Sequence, residues 1–262
     1  MRRALTILSL LASVALWTAC VPPQPTPPPE VYLPRFDWDP PSKAQPGSSR
    51  VTFAIVSPQF SAHAASAWAG LDGTPPVLRD LQQALGAHFA ELLTSKGFTT
   101  RGPFGTYMDM TFPDKKGSDL VLHSDIDITI ADAGRSASPH LTLVGPTRFS
   151  FRGTAELSGR VVLVLSETLS NERMWVKAVE LPAKRVAWVG TDLFAVQQNG
   201  DGTVVAPPFG KHFSDPGFTS TVGRELEAYY RATMDAAWRY LNPEEMSLVK
   251  KESQEIRQRK VY

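Results

Sequence analysis

The sequence LVLHSDIDITI, residues 120–130, alternates apolar and polar side chains along its length. A period of two places successive side chains on opposite faces of a β-strand. One face is then buried and the other is wet, as in antiparallel sheets with one face in water. The stretch therefore predicts a half-buried strand, with Leu122, Ile126, Ile128 and Ile130 inside and His123, Asp125, Asp127 and Thr129 outside.

Further strand patterns lie on both sides of this stretch. Residues 51–58, VTFAIVSP, have the β-branched and aromatic content of a short buried strand that stops at Pro58. Beyond a small and polar break at residues 131–139, two strands are predicted at 149–151 and 154–168, and the second is apolar on both faces in its middle. After a turn at Ser170-Asn171, a hairpin partner at 174–179 and a further strand at 185–189 follow.

Two long amphipathic helices accompany these strands, at residues 75–96 and 219–241. In both, apolar side chains recur at spacings of three and four, which puts them on one helix face. Thr74 can cap the first helix, Pro75 suits its first position, and Gly97 ends it. Because this helix separates the first two strands, one parallel crossover is allowed. The sequence predicts an α+β fold, with a mixed or mainly antiparallel sheet and two long amphipathic helices on one face.

A last helix is predicted to begin at Asn242, with Pro243 at its first position and Glu245 in a capping box. Its few apolar residues indicate a solvated helix or a frayed tail. The basic end formed by Arg257, Arg259 and Lys260 could dock a partner.

The chain begins with a secretory signal pattern that ends in LWTAC, residues 16–20. Two arginines precede a run of about 14 mostly apolar residues, which is too short for a comfortable membrane span of roughly 20 residues. Small residues before Cys20 resemble the lipobox of bacterial lipoproteins, in which the cysteine becomes the lipidated N-terminus. Trp17 stands where that pattern usually has Leu. The alternative is an ordinary secreted protein in which Cys20 lies within the signal by chance.

Ten prolines fall between residues 22 and 46, directly after the cysteine. Such a segment favours extended polyproline, which at about 3.1 Å per residue reaches up to roughly 80 Å. It is either a stalk that clears the bilayer or a disordered leader. The predicted organisation is a signal peptide at 1–19, a lipidated and proline-rich linker at 20–49, and a single domain at 50–262. Because Val21 is not the Asp of an inner-membrane retention signal, we expect an outer-membrane location, on the periplasmic face or the cell surface.

Composition limits the classes of function. A length of 262 residues with 42% hydrophobic residues suits one domain. Removal of residues 1–19 leaves 25 Lys and Arg against 26 Asp and Glu, so the basic face of a nucleic-acid binder is not expected. Cys20 is the only cysteine, so we expect no disulfide.

Candidate chemical sites are few. Asp125 and Asp127 point the same way on a strand, but no third ligand follows at metal-binding spacing. The run 199–202, NGDG, lacks the acidic pattern of a calcium loop and predicts a Gly-rich turn. Trp175 and Trp188 could stack on a sugar ring if exposed, and are otherwise core residues. Because no catalytic motif is present, we expect neither enzymatic activity nor a cofactor.

The order of elements and several local sequence segments resemble the neuraminyllactose-binding haemagglutinin family, the adhesin A lipoproteins typified by Helicobacter pylori. The residues that carry the resemblance are 81–99 (LQQALGAHFAELLTSKGFT), 110–122 (MTFPDKKGSDLVL), 153–166 and 234–260. The resemblance implies a surface or outer-membrane lipoprotein named for binding sialylated glycans.

The resemblance also indicates where a ligand would bind. The type member has a lysine-rich stretch after the strand that matches residues 120–130, whereas this chain reads ADAGRSASPH at 131–140. A sialic acid carboxylate needs a bidentate Arg or several donors, and only Arg135, with His140, could serve. The first hypothesis is therefore an adhesin-like lipoprotein that binds a glycan. The alternative is a periplasm-facing assembly or structural lipoprotein that docks a protein partner of the envelope.

Overall fold

A computed structural model of the protein describes residues 32–68, 74–140, 148–190, 197–198, 204–205 and 208–260. Its main sheet has six strands in the order β3-β1-β4-β5-β6, with β2 beside β4. β1 is parallel to β3 and β4, β2 is parallel to β4, and β4, β5 and β6 form an antiparallel meander. The strand bounds are β1 Thr52–Val56, β2 Gln59–Phe60, β3 Thr99–Phe104, β4 Leu120–His140, β5 Arg148–Glu167, β6 Arg173–Val189, and a separate pair, β7 Gln197–Gln198 and β8 Val204–Val205.

Five α-helices accompany the sheet in the described residues: α1 Ala62–Trp68, α2 Pro76–Ser95, α3 Phe112–Lys116, α4 Pro216–Tyr240 and α5 Pro243–Arg259. α2 lies between β1 and β3, as the predicted crossover requires, and Gly97 follows its end with a φ of +84°. α4 starts three residues before its predicted start because Asp215 caps it, accepting hydrogen bonds from the backbone N–H groups of Gly217 and Phe218. Among the described residues, no helix combines the length and the apolar character that crossing a membrane requires.

One large hydrophobic core lies between the sheet and the two long helices. The inward residues of the 120–130 stretch are buried, with Leu122, Ile126 and Ile128 each at most 1% exposed. They share one cluster with apolar residues of α2 and of α4. The α+β fold, its mixed sheet and the placement of both helices on one face are confirmed.

The opposite face of the sheet carries a small second cluster. Ala54, Val56 and Val121 are buried there under Met110, with Phe104 and Tyr107 at its edge. The irregular segment between β3 and β4 therefore covers part of the sheet. α1 lies beside β4, where Nδ1 of its His63 is 3.1 Å from Asp127 Oδ1.

The break predicted at residues 131–139 is wrong, because β4 runs through it to His140. Pairing with β5 continues along this small and polar segment, apart from a register shift between Asp132 and Arg135. Residues 149–151 and 154–168 likewise belong to one strand, β5, and 174–179 and 185–189 belong to β6. Long-range ladder pairing overrides weak local strand preference here.

Packing begins before Arg50, the first residue assigned to the domain. Residues 32–40, here called the N-terminal strap, lie along α4. Phe36 is 5.5 Å from Tyr230 between ring centres, and both rings are buried in the core. Trp38 is 9% exposed, and its Nε1 donates to Asp235. Aromatic residues interrupt the proline-rich segment, so its second part packs on the domain instead of continuing the linker.

α5 is a docked helix and not a frayed tail. Its inward face buries Met246, Val249, Ser253 and Ile256. Arg257 donates to Glu167 Oε1 at 2.6 Å and to the backbone oxygen of Ser118 at 2.8 Å.

Glu167, at the end of β5, is 0% exposed. Its burial favours a raised pKa, but hydrogen bonds from the backbone N–H groups of Ser170 and Leu169, together with Arg257, outweigh burial and lower it. The Arg257 side chain is thus engaged within the fold and is not presented to a partner.

The predicted N-cap of α5 is confirmed, since Asn242 accepts a hydrogen bond from the backbone N–H of Glu244 at 2.9 Å. Replacing Asn242 by Ala should lower the free energy of unfolding by about 1 kcal/mol, because one terminal donor loses its partner. Urea denaturation measures this loss. Gln254→Ala, on the exposed face of the same helix, is the control. Equal stability of the two variants would show that the cap contributes nothing.

Candidate functional site

Arg135, the first predicted ligand residue, is held by other side chains. It lies just after a bulge in β4 at which Gly134 adopts a φ of +129°. Its Nε is 2.5 Å from Asp132 Oδ2, and its Nη1 is 3.3 Å from His212 Nε2. The guanidinium also lies 5.8 Å from the centre of the Phe209 ring. Binding a ligand carboxylate through Arg135 would compete with Asp132.

The His212 side chain beside Arg135 is fully buried in an aromatic cluster. Its ring lies 4.6 Å from Trp188 and 5.3 Å from Phe151 between ring centres. Burial, followed by the positive charge of Arg135, lowers the pKa of His212 to about 4, although Asp132 opposes the shift. His212 is therefore neutral at physiological pH.

Trp175 and Trp188, which could stack on a sugar ring only if exposed, are core residues. Trp188 is 2% exposed, and its ring meets Phe218 edge-on at 5.1 Å. Trp175 is 9% exposed, and its Nε1 donates to Glu245 at 2.7 Å. Glu245 is the residue that was predicted to form the capping box of α5, and its side chain instead accepts this hydrogen bond. Neither ring offers a face for stacking, because both point inward from β6 to the core beneath the helices.

For three other predicted features, the structure describes no side chains. His140 ends β4, where its backbone is opposite Arg148, and its side chain lies outside the described part of the chain. Cys20 and the 199–202 run also lie outside the described residues.

Asp125 and Asp127 do not form a pair of converging carboxylates. Asp127 accepts from Ser61 Oγ at 2.6 Å, and its Oδ2 is 3.7 Å from Arg160 Nε. The hydrogen bond from Ser61, with that from His63, lowers the pKa of Asp127. Asp125 is exposed. The described residues contain no cluster of three or more His, Cys, Asp or Glu side chains that could hold a metal ion.

A small polar niche adjoins Asp125 at the turn between β5 and β6. Its cavity of about 120 Å³ is lined by His123, Asp125, Val164, Ser166, Asn171 and Arg173. Burial lowers the pKa of His123, although Asn171 and Asp125 oppose the shift. The niche offers both donors and acceptors, and it has room for about four water molecules or one polar group of a ligand.

An open groove lies beside the bulge of β4. Its volume is about 500 Å³, and its lining is Ala133, Gly134, Arg135, Ser136, Arg152, Gly153 and Thr154. Arg152 is exposed and lies opposite Ser136 in the β4–β5 ladder. Sequence reasoning missed Arg152. A signal was present, because Arg152 directly follows the buried Phe151, and successive side chains of a strand point to opposite faces.

A further surface is the side of the β4-β5-β6 meander that faces away from α2 and α4, here called the outer sheet face. The ladder aligns its side chains in rows across the three strands. Two of these rows become apolar toward β6, where Val176 and Val189 are 53% and 56% exposed, and the third is charged on all three strands. The rows are His123–Val164–Val176, Asp125–Val162–Ala178 and Asp127–Arg160–Glu180.

β6 is also an edge of the sheet. Among the described residues, no strand pairs with its far side, so a row of backbone donors and acceptors faces outward next to Val176. The sequence contained a signal for this surface, because Val176 alternates with the buried Trp175 and Val179. Fold and surfaces together define an α+β domain whose accessible features are suited to binding.

The comparisons with known proteins agree with this fold. No family model and no curated protein matches the sequence. Among solved structures, the chain is similar to a neuraminyllactose-binding hemagglutinin homolog from Helicobacter pylori, with a TM-score of 0.54 and 13% identity, over 85% of this chain and 98% of that one. This likeness shows a shared fold.

Two weaker matches are lipoprotein GNA1162 from Neisseria meningitidis and protein XCC0632 from Xanthomonas campestris. The first has a TM-score of 0.27 and 13% identity, over 52% of this chain and 83% of that one. The second has a TM-score of 0.36 and 11% identity, over 83% of this chain and 98% of that one.

Proposed function

We propose that this protein is a lipid-anchored lipoprotein of the bacterial outer membrane that docks a protein partner of the envelope and catalyses no reaction. The anchor is the lipidated Cys20, which follows a signal sequence and precedes a run of prolines. The observation that carries the docking function is the edge strand β6, with exposed valines beside unpaired backbone groups.

The occupant proposed for this edge is an extended segment of the partner, added as a further strand. Main-chain hydrogen bonds supply affinity in such β-augmentation, and alternate side chains supply specificity. The stretch before Pro182 suits this best, because Pro has no N–H to offer a ladder. Within this stretch β6 carries two basic side chains, Arg173 and Lys177, against one acidic side chain, Glu180. Lys184 and Arg185, beyond Pro182, are already paired with Glu225 and Glu156. The partner segment is therefore expected to be acidic.

Photo-crosslinking in intact cells tests the docking proposal. A photoreactive residue at Ala178, exposed on β6, should give one discrete adduct with an envelope protein. Adding Val176→Lys should abolish that adduct, because a charge then occupies the apolar row beside the edge. Leu248→Lys is the matched control, since Leu248 is 64% exposed on α5. An adduct that survives Val176→Lys, or the absence of any adduct, would contradict docking at this edge.

A second candidate function is adhesin-like binding of sialylated glycans. The fold shared with a neuraminyllactose-binding hemagglutinin homolog supports it, as does the exposed Arg152 in the open groove. With Trp175 and Trp188 buried, Arg152 becomes its main residue. On a sialyl-glycan array, wild-type binding that Arg152→Ala abolishes and Arg135→Ala reduces would support this function. The absence of wild-type binding would exclude it.

The side of the outer membrane on which the domain lies separates the two candidates. Protease shaving of intact cells removes a domain that faces outward and spares one that faces the periplasm. An untouched domain would contradict the adhesin function, whereas docking of an envelope partner is compatible with a periplasmic location.

A further inference from the structure

An exposed aliphatic side chain lies among three arginines where the N-terminal strap meets α4. Leu33 is 73% exposed, and Arg35 is exposed beside it on the strap. Arg224 and Arg231 are exposed on α4, and the Arg224 guanidinium lies 4.9 Å from the centre of the Tyr32 ring. The Leu33 surface, as we call it, consists of Tyr32, Leu33, Arg35, Arg224 and Arg231.

The Leu33 surface is positively charged. The carboxylate in contact with it is Glu227, which is 9% exposed and is bonded from three sides. The Tyr32 hydroxyl and the Arg35 backbone N–H both donate to its Oε2, and Arg231 lies 2.5 Å from its Oε1. Within the Leu33 surface one buried carboxylate therefore faces three guanidinium groups. The exposed Asp37 and Asp39 follow Arg35 farther along the strap. Glu225, nearby on α4, pairs with Lys184, and Asp235 accepts from Trp38 farther along the helix.

We propose that the Leu33 surface rests against the headgroups of an anionic lipid leaflet. An aliphatic side chain that enters the interface, an amphipathic tyrosine and arginines near acidic headgroups are the features of interfacial binding. Each basic residue near such a surface adds electrostatic attraction to the acidic headgroups. The Leu33 surface is therefore better suited to contact lipid than the outer sheet face, where Asp127 and Arg160 pair with each other.

The position of the anchor supports the same orientation, and this step rests on the lipid anchor of the proposed function. Tyr32 lies 12 positions after Cys20, and six of the 11 residues between them are prolines. At about 3.1 Å per residue, this tether holds Tyr32 within about 37 Å of the lipidated residue. The outer sheet face lies on the other side of the sheet from α4, so it would remain available to a partner.

Fluorescence quenching on vesicles tests the orientation with the full lipidated chain. Because lipidation consumes the thiol of Cys20, a new cysteine is the only site for a thiol-reactive dye. The dye is placed at Ala228→Cys, exposed on α4 between Arg224 and Arg231, or at Ala178→Cys on the outer sheet face. The vesicles contain phosphatidylethanolamine, phosphatidylglycerol and a lipid with a nitroxide on its headgroup. The dye at position 228 should lose most of its fluorescence, and the dye at 178 should lose little.

Charge and apolar contact are tested in the Ala228→Cys chain. Leu33→Ser or Arg224→Gln should reduce quenching, whereas Arg239→Gln, an exposed arginine farther along α4, should leave it unchanged. Flotation of the same samples shows whether the anchor holds. Equal quenching at 228 and 178 on chains that float would overturn the orientation and leave the anchor intact. Chains that do not float would overturn both.

Discussion

Replacing Arg257 by Ala is expected to lower the free energy of unfolding by about 3–5 kcal/mol, because the change leaves a charged carboxylate buried without its partner. Glu167 is 0% exposed, and Arg257 Nε lies 2.6 Å from its Oε1. The same guanidinium binds the backbone oxygen of Ser118 and the Thr168 hydroxyl, so it joins α5 to the end of β5. Urea denaturation at neutral pH measures the loss.

Two further variants isolate the buried charge as the cause. Arg259→Ala removes an exposed arginine from the same turn and should change stability by less than about 0.5 kcal/mol. Glu167→Gln in the Arg257→Ala chain removes the unpaired charge and should recover part of the loss, because the amide oxygen can still accept from the N–H of Leu169. If Arg257→Ala lowered the free energy of unfolding no more than Arg259→Ala does, the ion pair would not be what stabilises the docking of α5.

Lowering the pH from 7 to 5 is expected to remove about 2 kcal/mol of stability through His212 alone. Its pKa is about 4 in the folded protein, against an ordinary value of 6.5. The unfolded chain therefore takes up the proton first as the pH falls. The stability that depends on neutral His212 is present above pH 6.5 and is lost as the pH falls towards 4. Acidic groups with lowered pKa values, such as Glu167, add their losses at lower pH.

Comparison with His212→Gln assigns this pH dependence. The variant is expected to be less stable than the wild type at pH 7, since it disturbs the packing against Trp188 and Phe151. Its loss between pH 7 and pH 5 should be smaller by about 2 kcal/mol, because no imidazole remains to be protonated. Urea unfolding at the two pH values measures both chains. Equal losses in both would show that His212 is not the titrating group.

Local periodicity explains what could be predicted of the fold. The alternation at residues 120–130 and the apolar stripe of α2 each depend on side chains a few positions apart, so both could be predicted from the sequence. The continuation of β4 beyond Ala131 depends on pairing with β5, which no local pattern encodes. The strap was missed for a similar reason, because Phe36 and Trp38 find their partners on α4, almost 200 residues later.

The residues of the candidate site likewise divide into those that local periodicity could predict and those that depend on distant contacts. The alternation within β6 already placed Trp175 inward and Val176 outward, so the burial of the tryptophan was one of the two readings of the sequence. The engagement of Arg135 could not be read in full, because His212 lies 77 residues away. The exposed Leu33 sits within the proline-rich segment, where composition alone gave no reason to expect packing or a positively charged surface.

The proposed lipid anchor and the two accessible surfaces fit one arrangement. The Leu33 surface lies where the segment from Cys20 joins the domain, and the outer sheet face lies on the other side of the sheet from α4. An anchored domain with one side towards lipid and the other towards a partner requires no catalytic group. In this proposal, the lipidation of Cys20 holds both the lipid-facing side and the partner-facing side at the membrane.

Cys20→Ser is the most direct test of the lipid anchor. Cells that express either chain are labelled with palmitate and separated into membrane and soluble fractions. The wild-type chain should incorporate palmitate and sediment with the outer membrane. The Cys20→Ser chain should incorporate none and should leave the membrane fraction, because the remaining contacts of the Leu33 surface are too weak for stable anchoring. A Cys20→Ser chain that stays on the membrane, or a wild-type chain without palmitate, would contradict the account.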